Sequence, residues 1–150
     1  MKYETRNHSK FLLMYHVIFV CKYRKVILEP ISEELKQVMF DIAEESDFEI
    51  LEMETDKDHI HFLIKSEPKV SVLSIVRKLK QESTNRLWKT QKEYLEKYYW
   101  GENTLWSDGF PHTKHGPFSV IYTAPETHTI GRKMILFFQT LAFLYYRVHS

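Results

Sequence analysis

Two histidines, His59 and His61, form the part of the sequence best suited to chemistry, since a single apolar residue separates them. The run at residues 59–65 is rich in β-branched and aromatic residues and predicts a strand. Side chains two residues apart in a strand share a face, with Cα atoms roughly 6.5 Å apart. Both imidazoles could therefore reach one metal ion. The alternating apolar residues would face the core: Ile60, Phe62 and Ile64.

The elements around the histidine strand predict an α+β domain. Residues 11–20 predict a buried strand with a basic exit, and residues 31–46 carry apolar side chains at helical spacing. Residues 48–54 alternate and predict a hairpin with the histidine strand. Ser71 is placed to cap a long second helix. Leu105-Trp106 is predicted to begin a fourth strand. This order is the ferredoxin-like (RRM-like) β-α-β-β-α-β pattern.

The composition limits the compartment and the partners. With 150 residues, 43% of them hydrophobic, the chain is long enough for one domain with its own core. The 21 Lys and Arg residues nearly balance 20 Asp and Glu residues, so any nucleic-acid surface must be local. Cys21 is the only cysteine and the N-terminus lacks the apolar core of a signal peptide, which predicts a cytoplasmic protein. The apolar run at 134–146 is shorter than the roughly 18 to 20 residues that span a bilayer, so we expect no membrane partner.

Several ordered motifs are more specific than the histidine pair. They are residues 21–27 after the first strand, residues 52–61, Ser71-Val72 at the start of the second helix, and residues 105–110. Together they resemble the HUH endonucleases, and among these the single-tyrosine transposases of small bacterial insertion sequences, the TnpA-type or IS200-like transposases. We therefore divide the chain into an HUH transposase-like, ferredoxin-fold domain at residues 1–110 and a divergent C-terminal segment at residues 111–150.

The resemblance implies DNA transposition and recombination on single-stranded DNA. A tyrosine hydroxyl would cleave one strand, leave a 5′-phosphotyrosine link, and release a 3′-hydroxyl that rejoins strands later. His59 and His61 would bind a divalent metal, Mg or Mn, that polarises the scissile phosphate. Imidazole ligands by themselves suit zinc better. A phenol with a pKa near 10 needs such help at neutral pH.

The resemblance also implies a homodimer that binds a DNA hairpin by its shape and backbone. Cations at the first strand exit and on the second helix would contact phosphates, which positions the DNA without reading bases. An ordinary solvated helix face is the alternative for each of them. Glu82 departs from the family pattern and would repel phosphate. The candidate contacts are Lys22, Arg24, Lys25, Arg77, Lys78, Lys80 and Arg86.

The catalytic tyrosine is harder to assign. The resemblance places it on a helix beyond the tryptophan that matches Trp106, followed one helical turn later by a glutamine that completes the metal site. This chain offers Tyr122, with Glu126 one turn later, and a carboxylate is a competent ligand for magnesium. Pro125 lies between the two and opposes a helix. Tyr122 and Glu126 are thus candidates for the nucleophile and the third metal ligand.

A frameshift is the alternative explanation of the segment at 111–150. Codons for residues 121–130 can be chosen so that the next reading frame encodes a tyrosine, with a glutamine one helical turn further on. In that case the body of the chain is a transposase, its tail is accidental, and this copy is inactive. Because the codons are chosen for this purpose, the shifted frame shows only that a frameshift is compatible with the amino-acid sequence.

Two other functions remain open at this stage. The first is a non-catalytic module that stacks single-stranded bases on exposed aromatics of the sheet, without metal. The second is a small metal-dependent hydrolase that combines the histidines with Asp56 or Asp58. With 8 histidines in 150 residues, a lone His-x-His pair can also be two surface imidazoles. Metal-dependent nicking of a labelled hairpin, with or without a covalent adduct, separates these functions.

Overall fold

One antiparallel sheet organises the protein. The structure is a computed structural model that describes residues 11–108 and 118–125, the latter by its backbone. The strands follow the spatial order β2-β3-β1-β4. They are β1 at Phe11–Val20, β2 at Phe48–Thr55, β3 at His59–Ser66 and β4 at Phe118–Pro125.

The helices complete an α+β, ferredoxin-like fold, as predicted. They are α1 at Ser32–Glu44, α2 at Val72–Thr90 and the short α3 at Lys92–Leu95. Strand β3 lies between β1 and β2 and is antiparallel to both, which is the split β-α-β arrangement. None of the helices in the described part of the chain has the length and apolar character needed to span a bilayer.

The apolar core lies on one face of this sheet, beneath α1 and α2. Alternation along β3 buries Ile60, Phe62 and Ile64 at 0%, 1% and 0% exposure, as the sequence predicts. Helix α1 contributes Leu35, Met39 and Ile42, which helical spacing places on one side. The opposite face of β3 is therefore turned away from the helix layer.

The fourth strand is not where the sequence placed it. Leu105 and Trp106 form no strand, and Trp106 makes only an isolated bridge to Cys21. The Trp106 side chain instead fills the core, where its indole N–H donates to Ser83 Oγ at 2.9 Å and its ring lies 5.4 Å from that of Phe19. Leu105 and Trp106 are apolar because they are buried in the core, and not because they pair in a strand. The fourth strand is β4, at residues 118–125.

Two helix boundaries also differ in detail from the prediction. Helix α1 ends at Glu44 rather than at Ser46, whose hydroxyl donates to the Ile42 carbonyl at 2.5 Å. Ser71 holds the N-cap position of α2, but its side chain makes no capping hydrogen bond. The predicted apolar run at 134–146 lies outside the described residues.

Candidate functional site

The two histidines lie on the sheet face opposite the apolar core. His59 and His61 alternate with the buried Ile60, and their ring centroids are 4.8 Å apart in an edge-to-face arrangement. His59 is only 6% exposed, yet it is not part of the apolar core. The strand period thus brings both imidazoles together at one end of β3, where β1 ends.

A carboxylate orients the first histidine. Asp58 Oδ1 lies 2.7 Å from His59 Nδ1, and Asp58 Oδ2 accepts from Arg24 Nε at 3.1 Å. Burial pushes the pKa of Asp58 upward, but the hydrogen bonds from His59 and Arg24 outweigh it and leave the pKa below its ordinary value. An ionised carboxylate only accepts hydrogen bonds, so His59 carries a proton on Nδ1 and presents Nε2 as its other nitrogen.

A third histidine contacts the second. His16 of β1 places Nε2 at 3.4 Å from His61 Nδ1. Burial, together with the neighbouring His59 and His16, lowers the pKa of His61 to about 3. Burial also lowers the pKa of His16. Both rings are therefore neutral at pH 7, and neutral imidazole is the form that binds metal ions.

The donor set fits a divalent metal only in part. Two neutral imidazoles can bind a divalent metal, but they suit Zn²⁺ best and suit Mn²⁺ and Mg²⁺ less well. Within residues 11–108 and 118–125, no group of three or more His, Cys, Asp or Glu side chains could hold a metal ion. Asp56 Oδ2 comes no closer than 3.9 Å to His59 Nε2. A complete coordination sphere therefore needs ligands beyond this described set, such as water or a DNA phosphate.

Tyr122 lies on a strand and not on a helix. Residues 118–125 pair with β1, with Tyr122 opposite Met14. His61 pairs with Ile18, four residues further along β1 and on its other side. At about 3.3 Å per residue and about 4.8 Å between strands, the Tyr122 and His61 backbones are about 16 Å apart in one subunit. The Tyr122 side chain and Glu126 lie outside the described residues.

The predicted cations at the exit of β1 are mostly engaged with acidic residues. Lys22 Nζ lies 3.2 Å from Glu102 and 3.6 Å from Asp108. Arg24 binds Asp58 and is thereby linked to His59. Lys25 is half-buried and makes no ion pair with the described part of the chain. All three lie at the end of the sheet that carries His59, because Val20 pairs with His59.

The predicted cations of α2 lie across the sheet from the histidines, because α2 packs on the core face. Arg86 binds Glu82 at 3.0 Å and Glu45 at 2.7 Å, and Lys78 lies 3.9 Å from Glu82, so the charge of Glu82 is balanced. Lys80 donates to the Ser107 carbonyl at 2.7 Å, and burial lowers its pKa. Arg77 is exposed and forms no ion pair among the residues described.

Sequence reasoning missed His16 and the exposed aromatic residues. His16 lies on the predicted first strand, but only the register of β1 against β3 brings it to His61. Trp100 and Tyr23 are 93% and 64% exposed, and Tyr23 has a left-handed backbone, with φ 60°. The aromatics expected on the sheet as a base-stacking platform are thus found beside it, in the loop after β1 and the turn after α3.

Comparison with known proteins identifies the class. The family described as Transposase IS200 like matches residues 9–122. The ISDra2 transposase TnpA of Deinococcus radiodurans is 33% identical over 101 residues, 67% of this chain and 71% of the relative. The transposase for insertion sequence element IS200 of Salmonella typhimurium is 28% identical over 108 residues, 71% of this chain and 70% of the relative.

A solved structure shows the same fold. The crystal structure of a candidate transposase from Deinococcus radiodurans superposes with a TM-score of 0.63, covers 95% of both chains, and is 24% identical. The family match covers well over half of the 150 residues. The chain belongs to the IS200-like transposase family, whose activity is the cleavage and rejoining of DNA.

Proposed function

We propose that the protein acts on hairpin single-stranded DNA at its histidine face, in the manner of the single-tyrosine transposases. The observation that supports this most directly is the pair His59 and His61, adjacent on one face and oriented by neighbours at Nδ1, in a chain of this family. The reaction would join a tyrosine oxygen to a phosphate and release a 3′-hydroxyl.

The chain's own residues prepare this site for Mg²⁺ or Mn²⁺. Asp58 holds His59 with Nε2 away from the carboxylate, and burial keeps His61 neutral. When bound, the metal would stabilise negative charge that develops on the phosphate oxygens. Glu126 remains the candidate for a further ligand, since a carboxylate suits either ion.

The DNA would reach the site along the exit of β1. Lys22, Arg24 and Lys25 lie at the same end of the sheet as His59 and would contact phosphates there. Unpaired bases would stack on Trp100 and Tyr23, and such stacking depends little on the base sequence. Arg77, Lys78, Lys80 and Arg86 lie on the other side of the sheet, so they would contact only DNA that wraps around the domain.

The identity of the nucleophile is a separate proposal. A backbone separation of about 16 Å, from the strand geometry, is much longer than a tyrosine side chain, and it motivates a role for Tyr122 at the histidines of a partner in a homodimer, or none. We favour the frameshifted tail, in which this copy binds DNA and forms no adduct.

A single experiment tests these proposals together. The purified chain is incubated with a 5′-labelled single-stranded hairpin and Mn²⁺ or Mg²⁺, and the products are separated under denaturing conditions. Nicking with a covalent adduct supports an active transposase, and binding without nicking supports the inactive copy. Nicking without an adduct contradicts both and favours the hydrolase with Asp56 or Asp58.

A non-catalytic single-stranded binding module is the second candidate. The 93% exposure of Trp100 favours it, because such an indole is available for base stacking. In that case binding of the hairpin is unaffected by chelation of the metal and by loss of the histidines. The inactive transposase would differ in binding Mn²⁺ through His59 and His61, which equilibrium metal binding measures directly.

A further inference from the structure

We propose that His16 is a positioning residue that holds His61 in the tautomer able to bind the metal. This inference rests on the proposed function, because it concerns the same metal site. The register of the sheet is its first support. His16 pairs with Leu63 and Ile18 pairs with His61, so His16 and His61 are diagonal neighbours on the face opposite the core.

The two rings are nearly parallel and offset, and one nitrogen of each lies close to the other ring. The ring planes are 19° apart and the centroids are 5.5 Å apart, whereas His61 Nδ1 and His16 Nε2 are only 3.4 Å apart. These two nitrogens therefore occupy the facing edges of nearly parallel rings. The distance is long for a hydrogen bond, and hydrogen bonds at catalytic sites often tighten only when the substrate is bound.

The tautomers decide what this contact does. Of two neutral imidazoles that share a hydrogen bond, one must donate and the other accept. If His16 donates, the proton of His61 is on Nε2 and that nitrogen has no lone pair for a metal. If His61 Nδ1–H donates to His16 Nε2, Nε2 of His61 becomes a ligand. Only the second arrangement is compatible with the metal site.

His59 provides an internal parallel. Its Nδ1 is held by Asp58 at 2.7 Å, which likewise directs Nε2 to the metal. Metal-binding histidines usually donate their other N–H to such a partner, and the partner fixes the orientation of the ring. Asp58 and His16 thus have matching roles. Asp58, in the turn before β3, is the partner of His59, and His16, on β1, is the partner of His61.

Two variants isolate the acceptor from the shape of the ring. His16→Phe keeps an aromatic ring and removes the acceptor, whereas His16→Gln keeps an acceptor. Mn²⁺ binding to the full chain is measured through the signal of free Mn²⁺ in electron paramagnetic resonance. We expect His16→Phe to weaken Mn²⁺ binding by about 10- to 100-fold, the usual effect of losing such a partner, and His16→Gln to recover most of it. Leu63→Met, opposite His16, is the matched control and should bind as the unmodified chain does.

A second readout requires no metal. Nitrogen NMR of ¹⁵N-histidine-labelled, metal-free protein reports which ring nitrogen of His61 carries the proton. We expect the proton on Nδ1 in the unmodified chain and a shift toward Nε2 in His16→Phe. An unchanged His61 tautomer in His16→Phe, or unchanged Mn²⁺ affinity, overturns the proposal.

Direct ligation by His16 is distinguishable from positioning. Two nitrogens about 3.4 Å apart also fit adjacent corners of a tetrahedron with metal–nitrogen bonds of about 2.1 Å. X-ray absorption of the Zn²⁺-loaded chain counts the nitrogen ligands of the metal. If His16→Phe loses one nitrogen ligand and His16→Gln does not restore it, His16 is itself a ligand and the positioning role is overturned. If the unmodified chain binds no metal, the proposed metal chemistry fails, while the tautomer measurement still decides whether His16 positions His61.

Discussion

At the scale of single residues, burial prepares the histidine face for its ligand. His61 is neutral at pH 7 because burial and its histidine neighbours lower its pKa to about 3. A metal ion therefore displaces no proton from it at this pH. His59 obtains its orientation from an ionised Asp58 instead, which itself is held by Arg24. Desolvation therefore keeps His61 neutral, whereas the charge of Asp58 orients His59.

The first residue-scale prediction concerns stability against pH. The pKa of His61 falls from 6.5 to about 3 on folding, so between these values the unfolded chain binds more protons. The contribution of His61 is complete above pH 6.5 and is lost as the pH falls toward 3, by up to about 1.4 kcal/mol per unit. Urea unfolding between pH 7.5 and 5, in the presence of a metal chelator, should show this decline in the free energy of unfolding. His61→Gln should show a shallower one, and an equal slope in both would contradict the prediction.

The second residue-scale prediction concerns the ligands. His59→Ala together with His61→Ala should abolish Mn²⁺ binding and any metal-dependent cleavage. The fold should survive, because neither imidazole belongs to the apolar core. Circular dichroism and thermal unfolding check the fold, and Lys65→Ala, on the same strand, is the control. Cleavage that persists in the double variant would place the metal elsewhere.

At the scale of elements, sequence periodicity was informative where one face of an element is buried. The alternation of Ile60, Phe62 and Ile64 predicted both β3 and its core side. The fourth strand was mislocated, because an apolar Leu105-Trp106 pair fits a buried plug as well as a strand. His16 could not be assigned either, since its contact with His61 depends on the register between two strands, which a single sequence does not specify.

The element-scale prediction separates the β1 exit from α2. Lys25 and Arg77 form no ion pair in the described part of the chain, but Lys25 lies in the loop after β1 and Arg77 lies on α2. Lys25→Gln should reduce the salt dependence of hairpin binding by about 0.7 in the logarithmic slope, the value for one phosphate contact on a single strand. Arg77→Gln should reduce it less. Fluorescence anisotropy across a salt series measures both slopes.

Lys80→Met is the matched control for that experiment. Lys80 donates to the Ser107 carbonyl and its ammonium lies 5.4 Å from the Phe19 ring centroid, so it acts within the fold. We expect an unchanged slope and a changed thermal stability. A slope reduced by Lys80→Met or Arg77→Gln, and not by Lys25→Gln, would place the DNA on α2.

At the scale of the whole molecule, the sheet separates two surfaces. Among the described residues, the helices and the core occupy one face, and three histidines occupy the other. Strand β4 extends the sheet next to β1 and carries Tyr122, the candidate nucleophile, to a position opposite Met14. Because β3 and β4 flank β1 on its two sides, this architecture holds Tyr122 away from His61 within one subunit. A role for Tyr122 in catalysis is therefore best tested across a dimer.

Mixing two inactive variants tests whether assembly supplies the tyrosine. His61→Ala and Tyr122→Phe chains, unfolded and refolded together, would form mixed dimers in which intact histidines meet an intact Tyr122 if the tyrosine acts on its partner. A hairpin adduct that appears only in the mixture would support that role and would contradict the frameshifted tail. We expect no adduct from the unmodified chain or from the mixture, because Pro125 and the strand at residues 118–125 exclude the helix that the family chemistry requires there. A chain whose residues after Val120 follow the next reading frame should then form the adduct, and size-exclusion chromatography of each sample verifies that dimers were present.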